Sequence, residues 1–224
     1  MRKPRLDKGI EETAIAVAAE AEQQAFELTL RKFDVKWTGF SPLMFQRFIG
    51  QIKDQDPETM LYLDDKRELF VPAANVYSFF CNGDNGKGCA MTFEARAHKM
   101  EMLRLAKAYL AVRPNRIPIL REGKPIAYGK FDERGDKKSG LIIDERAAVG
   151  KGARTTSREM RRRPVLDLPW EVTFQLILVM ARSNQALNGQ KLLEWMQQGG
   201  MEIGILAHRP MFGKFTVEMR ELPE

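Results

Sequence analysis

Histidine and cysteine are scarce in this chain: two of each in 224 residues. Cys81 and Cys89 form no CxxC pair, and His98 and His208 stand far apart. The spacings that hold structural or catalytic zinc are therefore missing. There is no P-loop and no HExxH, and no Ser-His-Asp or Cys-His set can be assigned, so the residues imply no cofactor, no metal and no catalytic centre. No run of about 18 apolar residues occurs, which predicts no membrane-spanning helix and no membrane partner. The N-terminus, MRKPRLDKGIEE, begins with charges, and acids follow where a secretory signal would have its apolar stretch. Two cysteines without an export signal read as free thiols in a reducing, cytoplasmic setting. Internal repeats of about 20 to 50 residues are absent as well.

What is present is a globular composition, 44% apolar and 29% charged, enough for one good core with an insertion. The net charge is +6 and the pI about 9.3, which favours an anionic partner. That charge is concentrated. Residues Arg146 to Arg163 carry Arg146, Lys151, Arg154, Arg158, Arg161, Arg162 and Arg163 against one acid, Glu159, a local excess of +6. The remaining 29 basic and 29 acidic residues cancel. Such a segment has the electrostatic footprint of a phosphate-backbone binder. Gly150 and Gly152 give it backbone freedom, and Thr155, Thr156 and Ser157 add hydroxyl donors.

Periodicity divides the rest of the chain. Residues 1–25 read as a basic tail and an amphipathic, alanine-rich helix from Ile10 to Ala25, a docking element for the domain surface or a neighbouring subunit. Residues 26–224 read as one domain, with an insertion at about 49–130 and a basic β-hairpin arm at about 141–165. Phe33, Val35 and Trp37 alternate with polar residues as in a strand. The segment from Met60 to Val71 carries a hairpin signal around Asp64 to Arg67, and Ala73 to Phe80 reads as a short helix. Phe93 to Val112 reads as a long helix ended by Arg113-Pro114, and two extended pieces follow around Gly123.

The C-terminal unit is the best specified. Val172, Phe174, Leu176 and Leu178 alternate along one side of a strand over Glu171 to Met180, and Ile177 and Val179 supply the other, a pattern expected of a central strand. Asn188 is a good N-cap for a helix to Gln198, with Leu192, Leu193 and Met196 as its buried stripe, Trp195 at the edge and Gly199-Gly200 as its end. Lys214 to Arg220 closes the unit as a strand. Strand, helical insertion, strands, then strand-helix-strand is the α+β, ferredoxin-like or RRM-type pattern with an antiparallel sheet.

Three stretches resemble the RAMP superfamily of RRM-fold proteins, and within it the Cas7-like backbone subunits of CRISPR effectors. They are WTGFSPLMF at the end of the first strand, LYLDDKRELFVPAANVYSFF, and the glycine-punctuated loop GGMEIGILAHRPMFGKF before the last strand. The likeness spans most of residues 26–221 and is similar to a phage and prophage group with the ending G-x-x-x-RP-x-x-G-x-F-x-V. The loop is sparser in glycine than the family pattern. The resemblance implies an RNA-binding role in a ribonucleoprotein, with the basic arm acting as a thumb on the bound strand.

The candidate contacts to nucleic acid are Lys36, Arg47, Arg146, Lys151, Arg154, Arg158, Arg161, Arg162, Arg163, His208, Arg209 and Lys214. Phe212 is a candidate for base stacking or for closing the loop over the core. Phe33 and Trp37 occupy positions where RRM sheets stack bases, but core packing is the better reading of both. Asp54 and Asp56 lie where some Cas7-like subunits place an RNA-cleaving aspartate, yet in KDQDPE they read as solvated. The expectation is a non-enzymatic binder of single-stranded nucleic acid, RNA before single-stranded DNA, assembling side by side along the strand as a homo-oligomer or ribonucleoprotein subunit. The rivals are a phage-encoded module acting on a host protein and a metal-dependent RNA-cleaving subunit.

Overall fold

Phe33, Val35 and Trp37 are fully buried, and Asp34 and Lys36 between them face outward, so the period of two decides the sides of the first strand. The structure is a computed structural model and describes residues 29–47, 56–81, 88–132, 134–149, 158–180 and 185–223. The N-terminal helix expected over Ile10 to Ala25 lies outside the described residues, as do Asp54, Lys151 and Arg154.

In chain order the elements are β1 (Thr29–Gly39), β2 (Leu43–Met44), a 3-10 turn (Pro57–Met60), β3 (Phe70–Pro72), α1 (Ala73–Cys81), α2 (Cys89–Thr92), α3 (Lys99–Tyr109), β4 (Leu110–Arg113) and β5 (Arg116–Arg121). They continue with β6 (Lys124–Pro125), β7 (Gly135–Asp136), β8 (Leu141–Val149), β9 (Arg158–Leu166), β10 (Glu171–Met180), α4 (Gly189–Glu202) and β11 (Phe215–Glu221).

The main sheet places β11 beside β1, β1 beside β10, and β4 and β5 along the far edge of β10, all antiparallel. Counting only β1, β4, β10 and β11, the order is fourth, first, third, second. That is the ferredoxin-like arrangement of two interleaved strand-helix-strand units. Strand β10 is central, as its composition predicts, although only one of its sides is sealed: Val172, Phe174, Leu176 and Leu178 are buried, while Ile177 and Val179 are partly exposed. The helices cover the sealed side. Trp37 stacks on Phe215 with ring centroids 4.1 Å apart and meets Phe79 of α1 and Phe174 of β10 edge-on. Aromatic contacts of this kind add about 0.5–1.5 kcal/mol each beyond the buried area.

A second sheet runs β2-β9-β8-β7 and is built on the long β8–β9 hairpin. The hairpin is anchored at its base, where Leu141 pairs with Leu166 and both are buried in the main core. This is the expected basic arm.

Three expectations differ from the structure. The long helix expected over Phe93 to Val112 is shorter at both ends: Phe93 to His98 form turns before it begins at Lys99, and it ends at Tyr109, Leu110 to Arg113 being a strand because Leu110 and Val112 alternate into the core while Ala111 and Arg113 face out. Gly199 and Gly200 do not end α4, which runs on to Glu202. They lie where no side chain fits: a Cβ at Gly199 would sit 2.5 Å from the Phe79 ring, and one at Gly200 would sit 2.3 Å from the Phe215 carbonyl oxygen. The buried stripe of α4 is Leu192, Trp195 and Met196, with Leu193 only partly covered. Trp195 turns inward because its Nε1 donates to Glu94 Oε1 at 2.8 Å. The cap is as expected, with Asn188 Oδ1 accepting from the Lys191 N–H at 3.0 Å. Among the described residues no helix is long and apolar enough to cross a membrane.

Candidate nucleic-acid interface

Directly opposed residues in an antiparallel hairpin share a side, so the register of β8 and β9 sorts the arm's charges into two faces. One face carries Asp144 opposite Arg163 and Arg146 opposite Arg161; the other carries Glu145 opposite Arg162. On the second, Arg162 Nε lies 2.8 Å from Glu145 Oε1 and both are exposed. On the first, Asp144 Oδ2 is 2.6 Å from Arg146 Nε, with Arg161 and Arg163 on the same face across the hairpin. Arg163 is only 8% exposed. Burial, and then the charges of Arg161 and Arg146 against that of Asp144, pull its guanidinium below its ordinary pKa.

Counting the partner strand also corrects the charge estimate. The excess of +6 over Arg146 to Arg163 omits Asp144 and Glu145, and the whole of Leu141 to Leu166 carries seven basic residues against three acids, +4. The register places position 159, opposite Ala148, on the first face and position 158, opposite Val149, on the second, so the paired strands share their excess between both faces. The backbone of Arg158 lies in β9, and its side chain is outside the description.

The glycine loop, between α4 and β11, is the second expected element, and the structure joins the two. Arg146 donates to Met211 Sδ at 3.0 Å and lies over the Phe212 ring with its Cζ 5.0 Å from the centroid. Phe212 is 7% exposed and packs with Met44 and Val165, which settles its role as closing the loop rather than stacking on a base. The backbone holds the loop down: Ala207 N–H donates to Met44 O, Gly213 N–H to Pro42 O and Ile205 N–H to Gly213 O. Gly213 has φ +74°, and a Cβ there would be 2.1 Å from the Ile205 carbonyl oxygen, so glycine is required. Leu206 (φ 60°) and His208 (φ 57°) adopt left-handed backbone without being glycine, a strain of about 1–3 kcal/mol that clusters at working sites.

Residues 206–209 border a cleft of about 340 Å³ together with Gln46, Tyr62 and Asn75. That is the small end of ligand-sized clefts, about 300 Å³ and upward. His208 is exposed at its mouth. Arg209 is partly covered, burial lowers its pKa, and it also borders a second cleft of about 310 Å³ with Thr92, Glu202, Ile203 and Pro210. Arg47 is exposed just beyond Gln46, its N–H bonded to Met60 O.

Two candidates stand apart. Lys36 projects from the open side of the main sheet and is paired with Glu171, which raises the lysine's pKa through hydrogen bonding and charge. Lys214 is knit into the loop's exit, its N–H donating to Ser41 Oγ at 2.8 Å. Phe33 and Trp37 are core residues. The open side of β1, β10 and β11 offers Asp34, Lys36, Thr173, Gln175, Glu218 and Arg220 and no aromatic ring. Base stacking on these strands is therefore not available to it. Asp56 is a cap: its Oδ1 accepts from the Glu58 N–H at 3.1 Å at the start of the 3-10 turn. Among the described residues no three His, Cys, Asp or Glu side chains come together as a metal site.

Gln46, Tyr62, Asn75, Asp144 and Met211 belong to this region without having been singled out by the sequence. Gln46 adjoins Arg47 and Asp144 adjoins the charged run, so both had a local signal. Tyr62 and Asn75 reach the cleft only through tertiary contacts and had none.

The fold class is thus a ferredoxin-like α+β domain carrying a basic hairpin. No family model and no curated protein matches the chain. A solved structure described as "Cryo-EM structure of the Type III-B Cmr-beta bound to cognate target RNA" contains a chain that aligns with TM-score 0.44 and 12% identity, over 96% of this chain and 66% of that one. At 12% identity it transfers no residue role. This chain spans 66% of that chain's length.

Proposed function

We propose that this chain is a non-enzymatic binder of single-stranded nucleic acid that holds its ligand along the loop-facing side of the hairpin and the cleft beside His208 and Arg209. One observation carries the reading. Arg146 bridges the arm to the glycine loop, so the two basic elements form one continuous surface. Arg146, Arg161 and Arg163 neutralise phosphates there, and the cleft bordered by Gln46, Tyr62 and Asn75 receives a base or sugar. RNA is favoured over single-stranded DNA on the resemblance of the motifs to the RAMP superfamily. A single domain of this size offers a short track, so several copies side by side along one strand are the natural way to cover a long ligand.

The test is salt-titrated fluorescence anisotropy with a 3′-labelled single-stranded oligonucleotide, as RNA and as DNA. Affinity that falls steeply with salt and varies little with sequence supports the reading. Absence of binding at 50 mM salt by the full chain would end it and leave a protein partner as the rival.

A further inference from the structure

We propose that the cleft beside the glycine loop is a reading site for one adenine base, with the carboxamides of Gln46 and Asn75 on the base edge and Tyr62 and His208 against its faces. The proposal deepens the preceding one and rests on its reading of the chain as a binder of single-stranded nucleic acid; it names which base the cleft takes.

The cleft is bordered by Gln46, Tyr62, Asn75 and residues 206–209, and no carboxylate side chain is among these. Its walls come from separate stretches of the chain, each held by backbone hydrogen bonds to another element. Gln46 lies between Phe45, whose N–H donates to Pro164 O, and Arg47, whose N–H donates to Met60 O. Tyr62 O accepts from the Phe70 N–H, and the centroids of the two rings lie 5.9 Å apart. Asn75 sits in the first turn of α1, where the Ala73 N–H donates to Asn115 O. Ala207, between the left-handed Leu206 and His208, donates its N–H to Met44 O. Walls fixed in this way lose little freedom when a ligand enters.

The side chains select the ligand. Gln46 is exposed and Asn75 partly so, and among the described residues neither carboxamide is used in a hydrogen bond within the protein. A carboxamide offers a donor and an acceptor side by side. Adenine presents the complementary pair, with N6 as donor and N7 as acceptor, and Asn or Gln meets it with two hydrogen bonds. Guanine shows two acceptors at the same edge, which suits a guanidinium. The guanidinium here belongs to Arg209, which also borders the second cleft with Thr92, Glu202, Ile203 and Pro210, so it is shared between the two. Tyrosine and histidine rings are stacking surfaces for a splayed base. The arm offers arginines for phosphate, and the cleft differs from it in carrying amides and rings. In a mixed sequence an adenine lies within a few nucleotides of almost any register, so affinity still varies little among such strands. The preference shows when adenine is the only variable.

The experiment uses the full chain at one salt concentration. Anisotropy compares 3′-labelled oligouridine strands of equal length that carry at the centre one adenosine, one guanosine, one cytidine or no replacement. Melting is followed with and without millimolar adenosine or uridine, nucleosides that carry no phosphate and so do not report on the arm. The variants are Gln46→Met and Asn75→Leu, with Gln197→Met, at an exposed position of α4, as a control. The adenosine-containing strand should bind about tenfold more tightly than the others, and adenosine but not uridine should raise Tm. Both preferences should be lost in Asn75→Leu, reduced in Gln46→Met and kept in Gln197→Met. Salt-dependent binding with equal affinity for all the strands and no nucleoside effect overturns the site and leaves the broader reading standing. A guanosine preference also overturns it, since that puts Arg209 on the base in place of the carboxamides. So does an adenosine preference that survives in both cleft variants. A Tm rise with adenosine, lost in Asn75→Leu, with no strand bound, supports the site and removes the broader reading. No nucleoside effect and no strand bound removes both. If Asn75→Leu does not fold, Gln46→Met decides.

Discussion

Arg161 and Arg162 are neighbours in sequence, but the register of the hairpin puts them on opposite faces. Each carries one charge, so replacing either by glutamine lowers the net charge by the same amount. A diffuse cloud of charge would treat the two variants alike. A binding face would not. For single-stranded ligands each phosphate neutralised contributes about 0.7 to the slope of log K against log salt. Between 50 and 200 mM, log salt changes by about 0.6, so one contact is worth about 0.4 log units, a factor of about 2.6. Arg161→Gln should therefore reduce the weakening over this range by about 2.6-fold relative to the natural chain. Arg162→Gln removes a side chain already paired with Glu145 on the far face, and its slope should stay near that of the natural chain. Anisotropy titrations at four salt concentrations read both. Equal slopes for the two variants, or a larger change for Arg162→Gln, would refute the assignment of the loop-facing side as the interface.

Other outcomes follow from the packing. Gly200→Ala gains about 1 kcal/mol in helix propensity but drives a methyl to 2.3 Å from a backbone oxygen of β11, so chemical denaturation should show net destabilisation. Phe212→Ala should cost about 3–5 kcal/mol and also release Arg146, so the loss of strand affinity should exceed that of Lys36→Gln, whose side chain lies on the open side of the sheet. Burial pushes the Cys81 thiol up to about 11 and Cys89 well above its ordinary value, so both should resist a thiol reagent at pH 8 until denaturant is added. Burial alone would raise the pKa of Asp136, but the Ser139 hydroxyl and the N–H groups of Gly129, Lys138 and Ser139 outweigh it and hold the carboxyl low. Its stabilising contribution is present above about pH 4 and is lost as pH falls through the lowered folded value. Asp136→Asn should flatten the stability curve in that acid range, read by urea unfolding.

Much of the scaffold was legible because alternation and caps are local signals. The strand over Glu171 to Met180 and the Asn188 cap follow from nearest neighbours, and they appear where expected. The misreadings arose where tertiary packing overrides a local rule. Gly199 and Gly200 look like a helix end, since glycine past a helix is common, yet here they admit Phe79 and Phe215 against the helix. Leu110 to Arg113 carries good helix formers, but pairing with β10 wins. At the interface the charged run was visible as a run. Which arginines share a face, Arg161 and Arg163 with Arg146 but not Arg162, depends on hairpin register, which charge counting does not contain.

Among the described residues the β11 strand forms one border of the main sheet, hydrogen-bonded to β1 on one side. A border strand is an invitation to any passing chain with free backbone groups. Here it ends in Glu218, Arg220 and Glu221, with Arg31 drawn to Glu221 and Asp34 to Arg220. A newcomer zipping onto this border would have to strip water from those charges. The same residues that leave the open sheet face unsuited to stacking thus guard solubility at high protein concentration.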